Sequence, residues 1–402
     1  MNKRLLWLAL GTFAIGAEGF VISSLLPQIS EDTGVSLVEA GYLVVAFALV
    51  YAAGAPVLTA ITGDRDRRTV LTLSALVFAA GAVMAALAQS YGILLVARMI
   101  IACAAGLYAA TAQATAVAIS HVDHRARAIS IVVGGTSLAV ALGAPLGAFL
   151  AAFAGWRGTY VSIAAAGVIA ALAIHLMLPG GLRGTKVPLK ERFRVLSQPG
   201  ILPMLATTLL YMTAGFMVFT YIAPMTIQAA GLDRSLLPTV LLMFGTGAAF
   251  GNYLGGQLAD RWGARRTVAT AIVLNALMML FFALVGHLPA AWAGPAFPGA
   301  LFPWGVMAWS FPPAQASRIL AAAPRSAPLV LSLNASALYF GVALGSFVGG
   351  LVLRHASVTD LGWVAALFML SALALLGSGR ARGSDLRAAG SPLCDRKQPV
   401  GS

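Results

Sequence analysis

The stretch Gly255–Val268 reads GGQLADRWGARRTV and lies between two long apolar runs. In a chain of which 10% is charged, it places four charged residues within seven positions: Asp260, Arg261, Arg265 and Arg266. A weaker copy, TGDRDRRT, occupies residues 62–69, and its Asp64 lies 196 positions before Asp260. That separation is close to half of the 402 residues, so the two charged loops predict an internal repeat.

The composition is typical of a membrane protein. Hydrophobic residues make up 59% of the chain, and apolar runs of about 20 residues, long enough to cross a bilayer, recur throughout. The mean hydropathy is +0.88. The net charge of +13 would favour nucleic-acid binding in a soluble chain, but here the cations lie in loops and indicate topology. Cys103 and Cys394 predict neither a disulfide framework nor a metal site.

We predict an all-α polytopic protein with twelve transmembrane helices, the tenth of them broken by five prolines. The predicted spans are residues 5–26, 39–61, 69–89, 93–119, 128–153, 159–178, 201–228, 236–258, 267–287, 293–313, 327–353 and 361–377. With this count, 22 of the Lys and Arg residues fall on one side, three on the other, and Arg98 within a span. Cytoplasmic loops are rich in Lys and Arg, so both chain ends are expected in the cytoplasm.

Two similar halves are expected, residues 1–178 and 201–377, joined by a cytoplasmic linker at 179–200 and followed by a disordered tail at 378–402. Small residues recur every four positions in three spans and predict helix faces that pack closely. They are Ala139, Gly143 and Gly147; Gly247, Gly251 and Gly255; and Gly341, Gly345 and Gly349, the last set 202 positions after the first. Such halves place a substrate site at their interface near mid-membrane.

Glu18 is the one acidic residue deep in a predicted span, and Arg98 the one cation. A carboxylate there is costly unless it faces water, pairs with a cation or takes up a proton, which is what proton exchange requires. We interpret Glu18 as the proton-coupling carboxyl and Arg98 as the residue that tunes it. The alternatives are a carboxyl that only joins helices and an arginine that extends outward. Glu39, by contrast, is explained by a capping box with Ser36.

The order Gly256, Leu258, Ala259, Asp260, Arg261, Gly263, Arg265, Arg266 resembles the loop motif of the major facilitator superfamily. The first loop, with Asp64, Arg65, Arg67 and Arg68, departs from that motif because Ala60 replaces its leading glycine. Arg98 with Gly106 resembles the family's intramembrane arginine motif, and Gly143-Ala-Pro145-Leu-Gly147 resembles its antiporter motif. The first span and Gly155-Trp156-Arg157 are similar to twelve-span drug:proton antiporters, a group with arabinose-efflux-like permeases and chloramphenicol and purine exporters. This resemblance implies alternating access, with the two loops controlling the movement of the halves.

Aromatic and amide side chains at mid-span are candidates to line a largely apolar substrate cavity. Each alone is also consistent with helix packing or an interfacial aromatic belt. The candidates are Tyr108, Gln113, Tyr211, Phe216, Phe219, Asn275, Trp304, Asn334 and Tyr339, with Tyr221 and Trp309 as further members.

These observations favour a proton-coupled exporter of a small amphipathic molecule in the cytoplasmic membrane. The sequence contains no nucleotide-hydrolysing motif, so we expect the proton gradient rather than a cofactor to supply energy, and we expect no enzymatic activity. The expected partners are the substrate, protons and the bilayer, without nucleic acid, and the chain is expected to act as a monomer. The alternatives are uptake or facilitated transport of a sugar or nucleoside, and a transporter-like sensor that moves nothing.

Overall fold

The computed structural model describes residues 3–121, 124–184 and 188–389, and within them the fold is helical. One isolated bridge joins Asp66 to Arg183. The helices are α1 (Lys3–Thr33), α2 (Leu37–Ile61), α3 (Arg67–Ala86), α4 (Tyr91–Ala118), α5 (Arg125–Met177), α6 (Leu189–Arg194), α7 (Ile201–Thr220), α8 (Ile222–Pro224), α9 (Leu237–Trp262), α10 (Ala264–Val285), α11 (Ala290–Ala322), α12 (Ala327–His355) and α13 (Asp360–Ala389).

The twelve predicted crossings are present among the described residues. Ten helices are long and apolar enough to span a bilayer, and one of them covers 51 residues, from Arg127 to Met177. That helix contains Gly155 at φ 68°, a left-handed conformation, so α5 consists of two successive spans that meet at this residue. The remaining crossing is α11, which is 33 residues long. We call the end of the bundle with the loop at 62–66 the basic side and the opposite end the far side.

Helices α1–α5 form the first half and α7–α13 the second. The halves meet where α2 packs against α12 and where α5 packs against α9. The predicted capping box opens α2 on the far side and is confirmed. The Ser36 backbone N–H donates to Glu39 Oε2 at 2.8 Å, and the Glu39 N–H donates to Ser36 Oγ at 3.2 Å.

The three stripes of small residues face neighbouring helices as predicted. In α5, a Cβ on Gly143 would lie 2.9 Å from Ala17 Cα, so α5 and α1 touch through their backbones beside Glu18. In α12, a Cβ on Gly345 would lie 2.3 Å from the Thr213 carbonyl oxygen of α7. The equivalent pairing of α5 with α1 and of α12 with α7 is the structural form of the internal repeat.

Gly251 offers a test of this packing. A Cβ there would lie 2.2 Å from the Val306 carbonyl oxygen of α11, whereas a Cβ on Gly256 of the same helix meets nothing within 4 Å. We expect Gly251→Ala to lower the melting temperature in detergent, because the two helices must separate. Gly256→Ala should be neutral or should stabilise by up to about 1 kcal/mol, since alanine favours helix. Equal melting temperatures for the two variants would contradict the close contact.

Two expectations need correction. The tenth crossing was predicted to be broken at its prolines, but α11 is continuous from Ala290 to Ala322. One reason is that the Tyr211 hydroxyl donates to the Ala308 carbonyl at 3.1 Å and so satisfies the oxygen that Pro312 leaves without an N–H partner. The tail was predicted to be disordered from residue 378, but α13 continues to Ala389. Its residues there include good helix formers, namely Ala, Leu and Arg; residues 390–402 lie outside the described residues.

Candidate functional site

The centre of the first half contains a buried ion pair between Glu18 of α1 and Arg98 of α4. Both side chains are 0% exposed, and Arg98 Nη1 contacts Glu18 Oε1. The Arg98 guanidinium also lies over the Phe47 ring, 4.4 Å from its centroid. Its Nε donates to the Leu43 carbonyl oxygen at 3.5 Å. Helices α1, α2 and α4 therefore converge on one charge pair.

This pair is only half satisfied. Glu18 Oε2 and Arg98 Nη2 are buried without a hydrogen-bond partner among the described residues. The Tyr160 hydroxyl, from the second span of α5, lies beside the guanidinium. Buried charges are stable only while they compensate each other, so removal of either charge changes the energy of the whole cluster. The unpartnered carboxylate oxygen is a position where a proton can be accepted.

A narrow cavity lies between the halves, close to the ion pair along α1. Its volume is about 30 Å³, room for about two water molecules. Phe20, two residues after Glu18, forms its wall from the first half and lies 5.7 Å from Trp309 between ring centroids. The second half supplies the remaining lining, Tyr211, Met212, Gly215, Phe216, Phe219, Phe244, Trp304, Ala308 and Trp309. Because ligand pockets usually hold roughly 300–1,000 Å³, a substrate requires the halves to separate here.

Of the nine main candidates, Tyr211, Phe216, Phe219 and Trp304 line this cavity, and so does Trp309, one of the two further members. The other five main candidates do not. Two of these belong to the first-half helix α4: Tyr108 is fully buried, with its hydroxyl 3.4 Å from the Leu8 carbonyl oxygen, and Gln113 is exposed.

The other three predicted lining residues hold helices together. Asn275 donates to the Tyr211 hydroxyl at 2.7 Å, and Asn334 accepts from Thr208 Oγ1 at 2.8 Å. Tyr339 stacks on Tyr51 of the first half at 3.7 Å between ring centroids and so lies at the contact of the halves. Spacing along a helix could not separate these roles, because each side chain faces a neighbouring helix rather than the cavity.

Two residues of the predicted antiporter motif, Gly143 and Gly147, lie on the face of α5 that packs against α1. Gly143, Pro145 and Gly147 are all buried. A Cβ on Gly147 would lie 2.7 Å from the Val21 side chain. Because Pro145 lies between these two contacts in the sequence, a bend of α5 there would act on the helix that carries Glu18.

The far side of the bundle is closed by contacts between the halves. Arg234 Nη1 donates to Glu31 Oε1 at 3.0 Å. The Tyr221 hydroxyl at the end of α7 packs so closely on α2 that a Cβ on Gly41 would lie 2.3 Å from it. Tyr221, predicted as a further cavity residue, thus belongs to this closure.

The sequence profile of the Major Facilitator Superfamily matches residues 8–346, which is most of the chain. The chain belongs to this superfamily. It is a multi-pass membrane transporter for small molecules, not an enzyme. It is 31% identical to the uncharacterised MFS-type transporter YbcL of Bacillus subtilis (strain 168), over 91% of this chain and 93% of that protein. It is 30% identical to a chloramphenicol resistance protein of Streptomyces lividans, covering 94% and 95% of the two chains.

A solved transporter structure has the same fold. The crystal structure of a D-xylose-proton symporter superposes with a TM-score of 0.73, over 91% of this chain and 96% of that one. The sequence identity is 16%, so this similarity concerns the fold.

The first superfamily loop contacts a helix of its own half and the start of the linker. Arg67 Nη1 donates to the Ala114 carbonyl oxygen of α4 at 2.6 Å, and Arg68 lies 3.5 Å from where a Gly180 Cβ would be. Asp66, rather than Asp64, caps α3 through the Thr69 N–H at 3.2 Å. Burial opposes the charge of Asp66, but its hydrogen bonds with Thr69 hold the pKa of this carboxyl below its ordinary value. Asp64 and Arg65 are exposed.

The second superfamily loop also contacts a helix of its own half. Gly263 turns the chain between α9 and α10 at φ 88°, a conformation that favours glycine. Arg265 Nη2 donates to the Leu376 carbonyl oxygen of α13 at 2.8 Å. Asp260, Arg261 and Arg266 are exposed, and Gly256 has open space around it. Arg67 thus bonds α4 and, through its backbone N–H, the Leu182 carbonyl oxygen of the linker at 2.9 Å, whereas Arg265 bonds a helix of its own half. Control of the halves by the loops remains a prediction.

Sequence reasoning missed several residues of the site. Phe47 and Tyr160 surround Arg98, and Phe20 and Phe244 line the cavity. Phe20 carried a usable signal, because it is a large aromatic residue within one turn of Glu18 on the same helix. The others look like ordinary apolar residues of long spans, and their roles depend on which helices become neighbours.

Proposed function

We propose that this superfamily member exports a small amphipathic molecule across the cytoplasmic membrane in exchange for protons. The observation that carries the proposal is the buried Glu18–Arg98 pair, which lies on the same stretch of α1 as the cavity residue Phe20. A proton on Glu18 would neutralise its carboxylate and leave Arg98 without a counter-charge. Because this pair joins α1 to α4, protonation and the packing of α1 are coupled. Because Phe20 of α1 forms one wall of the cavity, a change in the packing of α1 would also alter the space around the substrate.

Three observations support export over uptake. The antiporter-like segment at Gly143–Gly147 packs on the helix that carries Glu18. A relative at 30% identity is named a chloramphenicol resistance protein. The cavity lining is aromatic and contains no hydroxyl or amide free for a sugar, since the Tyr211 hydroxyl is already bonded to Asn275. We further propose that the basic side faces the cytoplasm, that the protein works as a monomer, and that the proton gradient replaces a cofactor.

The test uses proteoliposomes that contain the purified protein and a pH-sensitive dye in the lumen. A panel of neutral and cationic antibiotics, nucleosides and sugars is added with and without an imposed pH gradient. We expect proton movement coupled to an amphipathic antibiotic and none with sugars. Sugar accumulation in step with protons would indicate uptake. The absence of flux for every compound under every gradient would indicate a sensor.

The Glu31–Arg234 pair permits a prediction about the closure of the far side. In a variant without its native cysteines, Ser24→Cys reports opening, because Ser24 is buried and lines a far-side cavity with Arg234. We expect Arg234→Gln to raise the rate at which an impermeant thiol reagent modifies the cysteine at position 24. The rise should be at most about fivefold, which corresponds to the free energy of one exposed ion pair. Arg157→Gln is the control, since Arg157 pairs with Asp32 within the first half. An equal rise in both variants would contradict a contact between halves.

A further inference from the structure

The indole N–H of Trp304 has no role in the transport scheme above. Trp304 is 1% exposed and lines the cavity, and its Nε1 is buried without a hydrogen-bond partner among the described residues. Its ring is held by Phe244 at 4.6 Å and Phe282 at 4.9 Å between centroids. A buried donor without an acceptor is costly, and a fixed one is suited to a ligand that supplies the acceptor.

The other polar groups around the cavity are already used or can reach water. The Tyr211 hydroxyl accepts from Asn275 at 2.7 Å and donates to the Ala308 carbonyl oxygen at 3.1 Å. Trp309 is half-buried. The lining contains no charged side chain. A ligand therefore meets aromatic faces, one buried donor, and no counter-ion.

We infer that the substrate bound here is a molecule without an anionic group that carries a flat aromatic part and an oxygen that accepts a hydrogen bond from Trp304 Nε1. The aromatic part replaces ring contacts among Phe20, Phe219 and Trp309 when the halves separate. A carboxylate group is rejected, because the cavity lining offers no cation to offset its loss of water. This inference rests on the proposed function in one respect, that this cavity carries the substrate.

Three probes of nearly one shape test it: 2-acetylnaphthalene, 2-ethylnaphthalene and 2-naphthoate. Their binding to the protein in nanodiscs is measured by calorimetry at one pH, with empty nanodiscs subtracted. We expect the acetyl probe to bind about five- to tenfold more tightly than the ethyl probe, the value of one hydrogen bond, and the naphthoate most weakly. In Trp304→Phe the acetyl preference should fall to about one. In Trp309→Phe, which removes an indole from the same cavity, it should persist.

Equal affinities of the acetyl and ethyl probes for the wild type would overturn the inference, and so would a preference that survives Trp304→Phe. If that variant does not fold, ¹⁵N-tryptophan labelling of the wild type decides. An indole signal protected from solvent exchange must shift with the acetyl probe and not with the ethyl probe. No gradient is imposed, so a failure here leaves proton exchange at Glu18 standing, and a failure of proton-coupled flux leaves the binding result standing.

Discussion

Replacing Glu18 by Gln is expected to reduce substrate movement driven by a pH gradient to the level of protein-free vesicles. The Gln side chain keeps an oxygen toward Arg98, with which Glu18 is paired, but it cannot exchange a proton. Exchange of labelled for unlabelled substrate without a gradient should continue, because that process needs the halves to move but no proton. The measurement compares the two fluxes in the same vesicles.

Glu39→Gln is the matched control for this experiment. Glu39 is the carboxylate at the first residue of the second predicted span. It caps α2 together with Ser36 and therefore has a structural explanation. We expect this variant to retain gradient-driven flux and to fold normally, because Gln at this position can also complete the capping box with Ser36. Full gradient-driven flux in Glu18→Gln would remove Glu18 from the mechanism.

The largest effect on stability is expected for Arg98→Met. This substitution leaves the Glu18 carboxylate buried at 0% exposure without its cation, a change that typically costs about 3–5 kcal/mol. The loss should be smaller at acidic pH, because an uncompensated carboxylate avoids the penalty by taking up a proton. Equilibrium unfolding in mixed detergent micelles at two pH values measures both effects.

The double variant Glu18→Gln with Arg98→Met provides the control. It contains no buried charge at either position, so it should recover most of the stability that Arg98→Met loses. Additive losses in the double variant would show that the two side chains are not energetically coupled, contrary to their contact in the structure.

The sequence was most informative where one physical requirement determines a residue. The crossings could be predicted from the length of the apolar spans and the placement of Arg and Lys. The close-packed helix faces at Gly143 and Gly345 could be predicted from the four-residue spacing of small residues. The isolation of Glu18 and Arg98 was enough to suggest their pairing. Cavity lining could not be predicted in the same way, because a Tyr108 buried against Leu8 and a Tyr211 at the cavity look alike in a sequence. Only the arrangement of neighbouring helices distinguishes them.

The double use of Tyr211 constrains how the range of compounds handled by this transporter can change over evolution. Its ring faces the cavity, while its hydroxyl satisfies a carbonyl of the proline-containing helix α11. A mutation that adapts this position to a new compound would therefore also weaken a membrane helix. Neighbouring Phe216 and Phe219 have no hydroxyl or amide that holds a backbone, so substitutions that change the range of compounds should be tolerated there first.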